Sequence, residues 1–165
     1  MKNIIVLGAT GSIGDSVLSV IKQNKEKLNL LGITFSSNIN KAESIINEFN
    51  PKYIFTDSSE SYNHLIHAFE KDNKLNIFSD KSELEEILNN DQIDIIVSAI
   101  SGFVGLESTL IAAKTGKKIL LANKESIVVA GEIILPLAKK FNTEIIPIDS
   151  EHNAIFQCLN SDKNT

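Results

Sequence analysis

Short runs of β-branched and aliphatic residues alternate along the whole chain with stretches in which apolar residues recur every three or four positions. Runs of the first kind, at residues 2–7, 28–35, 53–56, 75–78, 93–99, 118–121 and 144–148, read as strands. Stretches of the second kind, at residues 13–23, 40–49, 60–69, 82–88, 106–114 and 131–141, read as helices. Ile13, Val17, Val20 and Ile21 share one face of the first helix, and Asn50-Pro51 stops the second. This alternation predicts right-handed βαβ units and an α/β fold: a doubly wound, Rossmann-like, mostly parallel sheet with helices on both faces. No repeat, low-complexity tract or Pro-, Gly- or Ser-rich linker interrupts it. At 165 residues and 42% hydrophobic content the chain suffices for one compact domain or part of a larger one. The acidic, Asn-rich residues 70–92 read as a solvated outer face.

In open sheets of this type ligands gather at the carboxyl ends of the strands, and four polar segments fall there. Gly8-Ala9-Thr10-Gly11-Ser12-Ile13-Gly14 joins the first strand to the first helix. Gly8 permits the tight turn, Gly11 lets a pyrophosphate approach the backbone, Gly14 lets the helix pack closely, and Thr10 and Ser12 add hydroxyl donors. A glycine-rich turn can be purely structural, but its place in the first βαβ unit favours a dinucleotide. The second strand ends in Thr34-Phe35-Ser36-Ser37-Asn38, without the acid that would hold a free ribose 2′-hydroxyl. Small polar donors there suit a 2′-phosphate, with Lys41 one turn on. The plainer reading makes Asn38 the cap of the next helix.

Two further segments follow later strands. Asn123-Lys124-Glu125-Ser126 puts a cation and a balancing acid at the carboxyl edge, which in isolation reads as a surface ion pair. In Pro147-Ile148-Asp149-Ser150-Glu151-His152-Asn153 two carboxylates flank a hydroxyl at a strand end. Paired carboxylates suit a hard divalent cation, magnesium or manganese. The same residues also read as an ordinary helix start with Asp149 or Ser150 as N-cap. His152 is expected to support that start, and His64 and His67 to lie on the surface.

A net charge of −5, with 16 basic residues that are all Lys, excludes a nucleic-acid partner, which wants a basic stripe with Arg forks. The apolar run at residues 4–7 is too short for a signal-peptide core, and no run reaches membrane-spanning length, so a cytoplasmic protein without a membrane partner is expected. A lone Cys158 excludes an internal disulfide; beside Phe156 and Leu159 it is expected to be a buried structural thiol. Residues after Leu159 have few apolar anchors and are expected to fray.

Taken together, the glycine turn, the string at residues 120–126 and the string at residues 147–157 resemble the 1-deoxy-D-xylulose 5-phosphate reductoisomerases, in order and over nearly the whole chain. The resemblance implies an enzyme that rearranges a phosphosugar, 1-deoxy-D-xylulose 5-phosphate, and reduces it with NADPH to 2-C-methyl-D-erythritol 4-phosphate, in non-mevalonate isoprenoid biosynthesis. It implies that Thr10, Gly11, Ser12 and Ile13 hold the cofactor pyrophosphate, that Ser36, Ser37 and Asn38 surround the 2′-phosphate, and that Asn123 and Glu125 touch the cofactor. Lys124, Ser150 and Glu151 would bind substrate, with Lys124 and Glu151 catalytic. Asp149 and Glu151 would ligate Mg2+ or Mn2+. Residues 1–149 would form the NADPH-binding domain and residues 150–165 the truncated start of a catalytic domain, with a homodimer formed largely by parts beyond it. Some members carry Lys where this chain has Ser37. The family's third carboxylate ligand, its His and its phosphate-gripping Ser, Asn and Lys lie further along than Thr165. Another NADP-linked reductase, such as a semialdehyde dehydrogenase, would need a catalytic Cys, for which Cys158 has the wrong neighbours. A nucleotide-binding module without turnover stays open.

Overall fold

The computed structural model describes residues 1–161, with side chains to Leu159. Its elements run β1 (Lys2–Leu7), α1 (Ser12–Gln23), β2 (Leu28–Phe35), α2 (Ile39–Phe49), β3 (Tyr53–Thr56), α3 (Ser59–Ala68), β4 (Asn76–Phe78), α4 (Lys81–Asn89) and β5 (Ile95–Ser98). A 3₁₀ turn (Phe103–Gly105), α5 (Leu106–Ala112), β6 (Lys118–Leu121), α6 (Lys124–Lys140), β7 (Glu144–Pro147) and α7 (Ser150–Ser161) complete them. The strands form one sheet in the order β4-β3-β2-β1-β5-β6-β7, and every pairing is parallel. Strand order therefore reverses between β1 and β5, and this switch point opens a crevice beyond their carboxyl ends.

Apolar runs without polar alternation form these strands because both faces of the sheet are covered. Ile4 and Val6 point to the side packed by Leu18 and Ile21 of α1, Ala42, Ile45 and Ile46 of α2 and Leu65 of α3. Ile5 and Leu7 point to the other side, against Leu84, Ile87 and Leu88 of α4 and Ala112 of α5. Burying each of these Ile, Leu and Val side chains contributes roughly 1.5–3 kcal/mol. Local signals set the helix starts: Asn38 Oδ1 accepts from Lys41 N at 3.2 Å, Ser58 Oγ accepts from Ser61 N at 3.2 Å, and Asp80 and Glu83 form a reciprocal capping box. α2 ends on left-handed Asn50 before Pro51, as its sequence predicts.

Ile13, Val17, Val20 and Ile21 share one face of α1 as expected; Val20 is 52% exposed, and with Leu120 and Ile148 this face borders an open apolar groove of about 430 Å³. Three expectations need correction. Cys158 is exposed rather than buried, since α7 leaves the sheet edge with Phe156 half-buried and Leu159 in solvent. α6 begins at Lys124, not near residue 131; it bends at Ala130 (φ −134°, ψ 23°) beside Gly131 and carries Pro136 within it. The backbone of α7 continues to Ser161, while residues 162–165, also expected to fray, lie outside the described residues. Among the described residues no helix is long and apolar enough to cross a membrane.

Candidate active site at the carboxyl edge of the sheet

Register brings the polar segments together. Thr34, Leu7, Ser98, Leu121 and Pro147 are successive partners across β2, β1, β5, β6 and β7, so the residues that follow them leave the sheet on one line. Gly8, Ala99, Ala122 and Ile148 thus open neighbouring loops although they are far apart in the chain.

The first loop is tied down from β2. Gly8 N and Ala9 N donate to Thr34 O at 3.1 and 2.9 Å, and Gly8 N also reaches Thr34 Oγ1 at 3.0 Å. Gly8 has φ +82°, and a side chain there would strike Ile100 Cγ1 at 2.9 Å. A Cβ on Gly14 would lie 2.3 Å from Ala9 O, so α1 meets the turn backbone to backbone. On Gly11 a Cβ would meet little, its nearest neighbour being Gly8 O at 3.4 Å. α1 therefore presents its first-turn N–H groups, at Ser12, Ile13 and Gly14, at an open glycine surface suited to an anion.

This turn borders a cavity of about 240 Å³ with Thr10, Gly11, Thr34, Ser36, Asp57 and Ser101 among its walls. Ser36 O accepts from Thr56 Oγ1 at 3.0 Å and Ser61 Oγ at 2.7 Å, which fixes the β2–α2 loop and leaves the Ser36 and Ser37 side chains exposed. Asn38 caps α2, and Lys41 Nζ pairs with Asp15 Oδ2 at 2.6 Å rather than turning to the serines.

A second cavity of about 430 Å³ adjoins the first across Ser101, which lines both. It gathers Ile13, Lys124, Glu125, Asp149, Ser150 and Glu151. Asp149 caps α7: its Oδ1 accepts from His152 N at 3.0 Å and lies 2.9 Å from His152 Nδ1. His152 thus supports the helix start as expected, and His64 and His67 are exposed. Lys124 Nζ lies 3.1 Å from Glu151 Oε1, and Ser150 Oγ donates to Glu151 Oε2 at 2.9 Å. The backbone N–H of Glu151, then Lys124 and Ser150, pull its carboxyl from an ordinary 4.5 down to about 2, and Glu151 in turn raises Lys124. Among the described residues no group of three His, Cys, Asp or Glu could hold a metal ion.

The structure brings Thr10, Gly11 and Ser36 into the first cavity and Ile13, Lys124, Glu125, Asp149, Ser150 and Glu151 into the second. Ser12, Ser37, Asn38 and Asn123 line neither. Thr34, Asp57 and residues 99–101 were missed by the sequence reading. The small residues of Ala99-Ile100-Ser101-Gly102 directly after a strand were the available signal. A larger hollow of about 540 Å³, near Pro51, Lys52, Asp72 and Leu75, opens at the amino ends of β3 and β4, away from the helix N-termini.

A family model described as 1-deoxy-D-xylulose 5-phosphate reductoisomerase matches residues 4–131. The chain belongs to the 1-deoxy-D-xylulose 5-phosphate reductoisomerase family. The reductoisomerase of Vesicomyosocius okutanii subsp. Calyptogena okutanii (strain HA) is 42% identical over 163 residues, 99% of this chain and 42% of that protein. The reductoisomerase of Clostridium botulinum (strain Eklund 17B / Type B) is 46% identical over 160 residues, 96% of this chain and again 42% of the relative. A crystal structure of a DOX-P reductoisomerase in complex with NADPH, fosmidomycin and magnesium superposes with a TM-score of 0.89 at 43% identity, over 96% of this chain and 39% of that one. The 165 residues therefore span about two fifths of the reductoisomerase relatives they match.

Proposed function

We propose that this chain supplies the NADPH-binding domain, residues 1–149, and part of the metal and substrate site, from residue 150 on, of an enzyme that converts 1-deoxy-D-xylulose 5-phosphate to 2-C-methyl-D-erythritol 4-phosphate. The observation that carries this reading is the pair of adjoining cavities at the switch point. One has an anion-accepting glycine turn, and the other holds Lys124, Asp149, Ser150 and Glu151.

The residues fit both groups. Gly11 leaves backbone room for a pyrophosphate, and Thr10, Ser12 and Ile13 begin the helix that would face it. Ser36, Ser37 and Asn38, none of them acidic, would surround a 2′-phosphate, with Asp57 in the wall of the same cavity, and Asn123 and Glu125 are assigned to the cofactor. Asp149 and Glu151 offer hard oxygen donors to Mg2+ or Mn2+, and Lys124 already neutralises Glu151 as such a cation would. When bound, the metal supplies Lewis-acid polarisation of the substrate oxygens. Lys124 adds positive charge beside the same oxygens, Ser150 donates a hydrogen bond, and Ile13 and Ile148 give the cavity an apolar side that limits water.

Calorimetry with NADPH and NADH on the purified chain tests the reading. NADPH is expected to bind at least about tenfold more tightly, about 1.4 kcal/mol. Equal dissociation constants would remove the assignment of Ser36, Ser37 and Asn38, and no binding of either would remove the cofactor domain.

A further inference from the structure

We propose that Asn123 is a positioning residue, acting on the cofactor through the β5–α5 loop rather than by contact. The inference rests on the reading above and reassigns one residue within it. Asn123 is only 1% exposed, and its side chain is committed inside the protein. Oδ1 accepts from Ser126 N at 2.9 Å and so caps α6, while Nδ2 donates to Ile100 O at 2.5 Å and Gly102 O at 2.9 Å. Both amide hydrogens are thereby spent on carbonyls of one loop, and neither is left for a ligand.

Three features make that loop the joint of the site. A side chain on Gly8 would strike Ile100, so the glycine turn rests directly on the segment Asn123 holds. Ser101, between the two held carbonyls, lines both cavities. Gly105 closes the far end: a Cβ there would sit 2.2 Å from Asn123 Nδ2 and 2.6 Å from Ile100 O, so only glycine lets the amide reach its acceptors. Beneath it, Gly105 O accepts from Ser108 Oγ at 3.1 Å and Thr109 Oγ1 at 2.8 Å, and Thr109 Oγ1 lies 3.0 Å from Ser98 Oγ, so the loop is pinned to β5 and α5 by buried polar bonds. Movement of residues 100–102 would shift the floor of the glycine turn and the partition between the cavities together.

The test uses Asn123→Ser, which retains a capping hydroxyl for α6 but is too short to reach both carbonyls, and Gly105→Ala, which displaces the amide without touching Asn123. In the unmodified chain the backbone order parameters of Ser101 and Gly102, from nitrogen-15 relaxation, are expected near the rigid value of about 0.85. In each variant they should fall below about 0.6 with an NADPH dissociation constant weakened about tenfold, the effect of losing roughly one to two buried hydrogen bonds. The double variant should bind little worse than either single one, because a released loop can move away from the new methyl group. Weakened binding with an unaltered loop would make Asn123 a direct contact and overturn the proposal, as would a mobile loop with unaltered binding. Order parameters below about 0.6 in the unmodified chain would overturn it without any variant. An unmodified chain that binds no NADPH, yet shows the same rigid-to-mobile change, would remove the cofactor reading while the brace itself stands.

Discussion

At the scale of single residues, the second cavity depends on side chains with two uses each. Asp149 caps α7 through Oδ1, and Asn serves as an N-cap about as well as Asp. Asp149→Asn should therefore leave helical circular dichroism unchanged while removing one anionic donor. Magnesium affinity by calorimetry is expected to fall by at least the roughly tenfold that loss of a supporting group costs at metal sites. Unchanged affinity would leave Asp149 as a cap alone. Glu151 gives a pH signature. Its folded value, about 2, lies below an ordinary 4.5, so the contribution of its contacts with Lys124 and Ser150 is complete above about 4.5 and fades as pH falls through about 2. A carboxyl NMR titration of the metal-free chain should give that midpoint, and Lys124→Ala should move it part of the way up, because the backbone N–H of Glu151 is the larger cause. A midpoint of 4.5 in the unmodified chain would rule out the pair in solution. The two acids and Lys124 were legible in the sequence through the strings that resemble the family, since alone they read as a helix start and a surface ion pair. The work of Thr34 and Asn123 was not, since a buried hydrogen bond to a distant backbone has no signature in one chain's composition.

At the scale of elements, α1 shows how one position decides an orientation. Alanine in place of Gly14 would gain about 1 kcal/mol of helix propensity. It would also place a methyl group 2.3 Å from Ala9 O and 2.6 Å from Ala9 C, backbone atoms that cannot retreat while Ala9 N is bonded to Thr34 O. Overpacking of this kind costs roughly 1–3 kcal/mol, and a rigid backbone partner puts the cost at the upper end, so the clash wins. Gly14→Ala is expected to lower Tm by several degrees, at roughly 2–4 °C per kcal/mol for a chain of this size. An unchanged or raised Tm would show that α1 does not meet the turn this closely. Helix α1 and its glycines were readable because spacing and periodicity agree. The start of α6 was hidden by Ile127-Val128-Val129 and Gly131, which by propensity argue against a helix. The Asn123 cap and burial of Ala130, Ile134 and Ala138 override that preference. α7 was legible only as one of two readings of Asp149 and Ser150; Asp149 begins the helix and also lines the second cavity.

At the scale of the molecule, parallel register converts four sequence-distant loops into one surface, which is why strand–helix alternation placed the four polar segments at one edge of the sheet. What alternation does not convey is completeness. Among the described residues no group of three His, Cys, Asp or Glu could hold a metal ion, and the second cavity is open. Rate acceleration by a bound metal requires the substrate to be oriented and water to be displaced, and effective molarity falls steeply when either is lacking. The 165-residue chain, which spans 42% of the length of the relatives it matches, is therefore expected to bind NADPH and to leave 1-deoxy-D-xylulose 5-phosphate unconverted. Purified chain, magnesium, NADPH and substrate, followed through absorbance of the reduced nicotinamide, decide the matter. A flat trace with a measurable NADPH dissociation constant is the expected result. Sustained substrate-dependent oxidation would show that Lys124, Asp149, Ser150 and Glu151 assemble a working site on their own, and the view of them as one half of it would have to go.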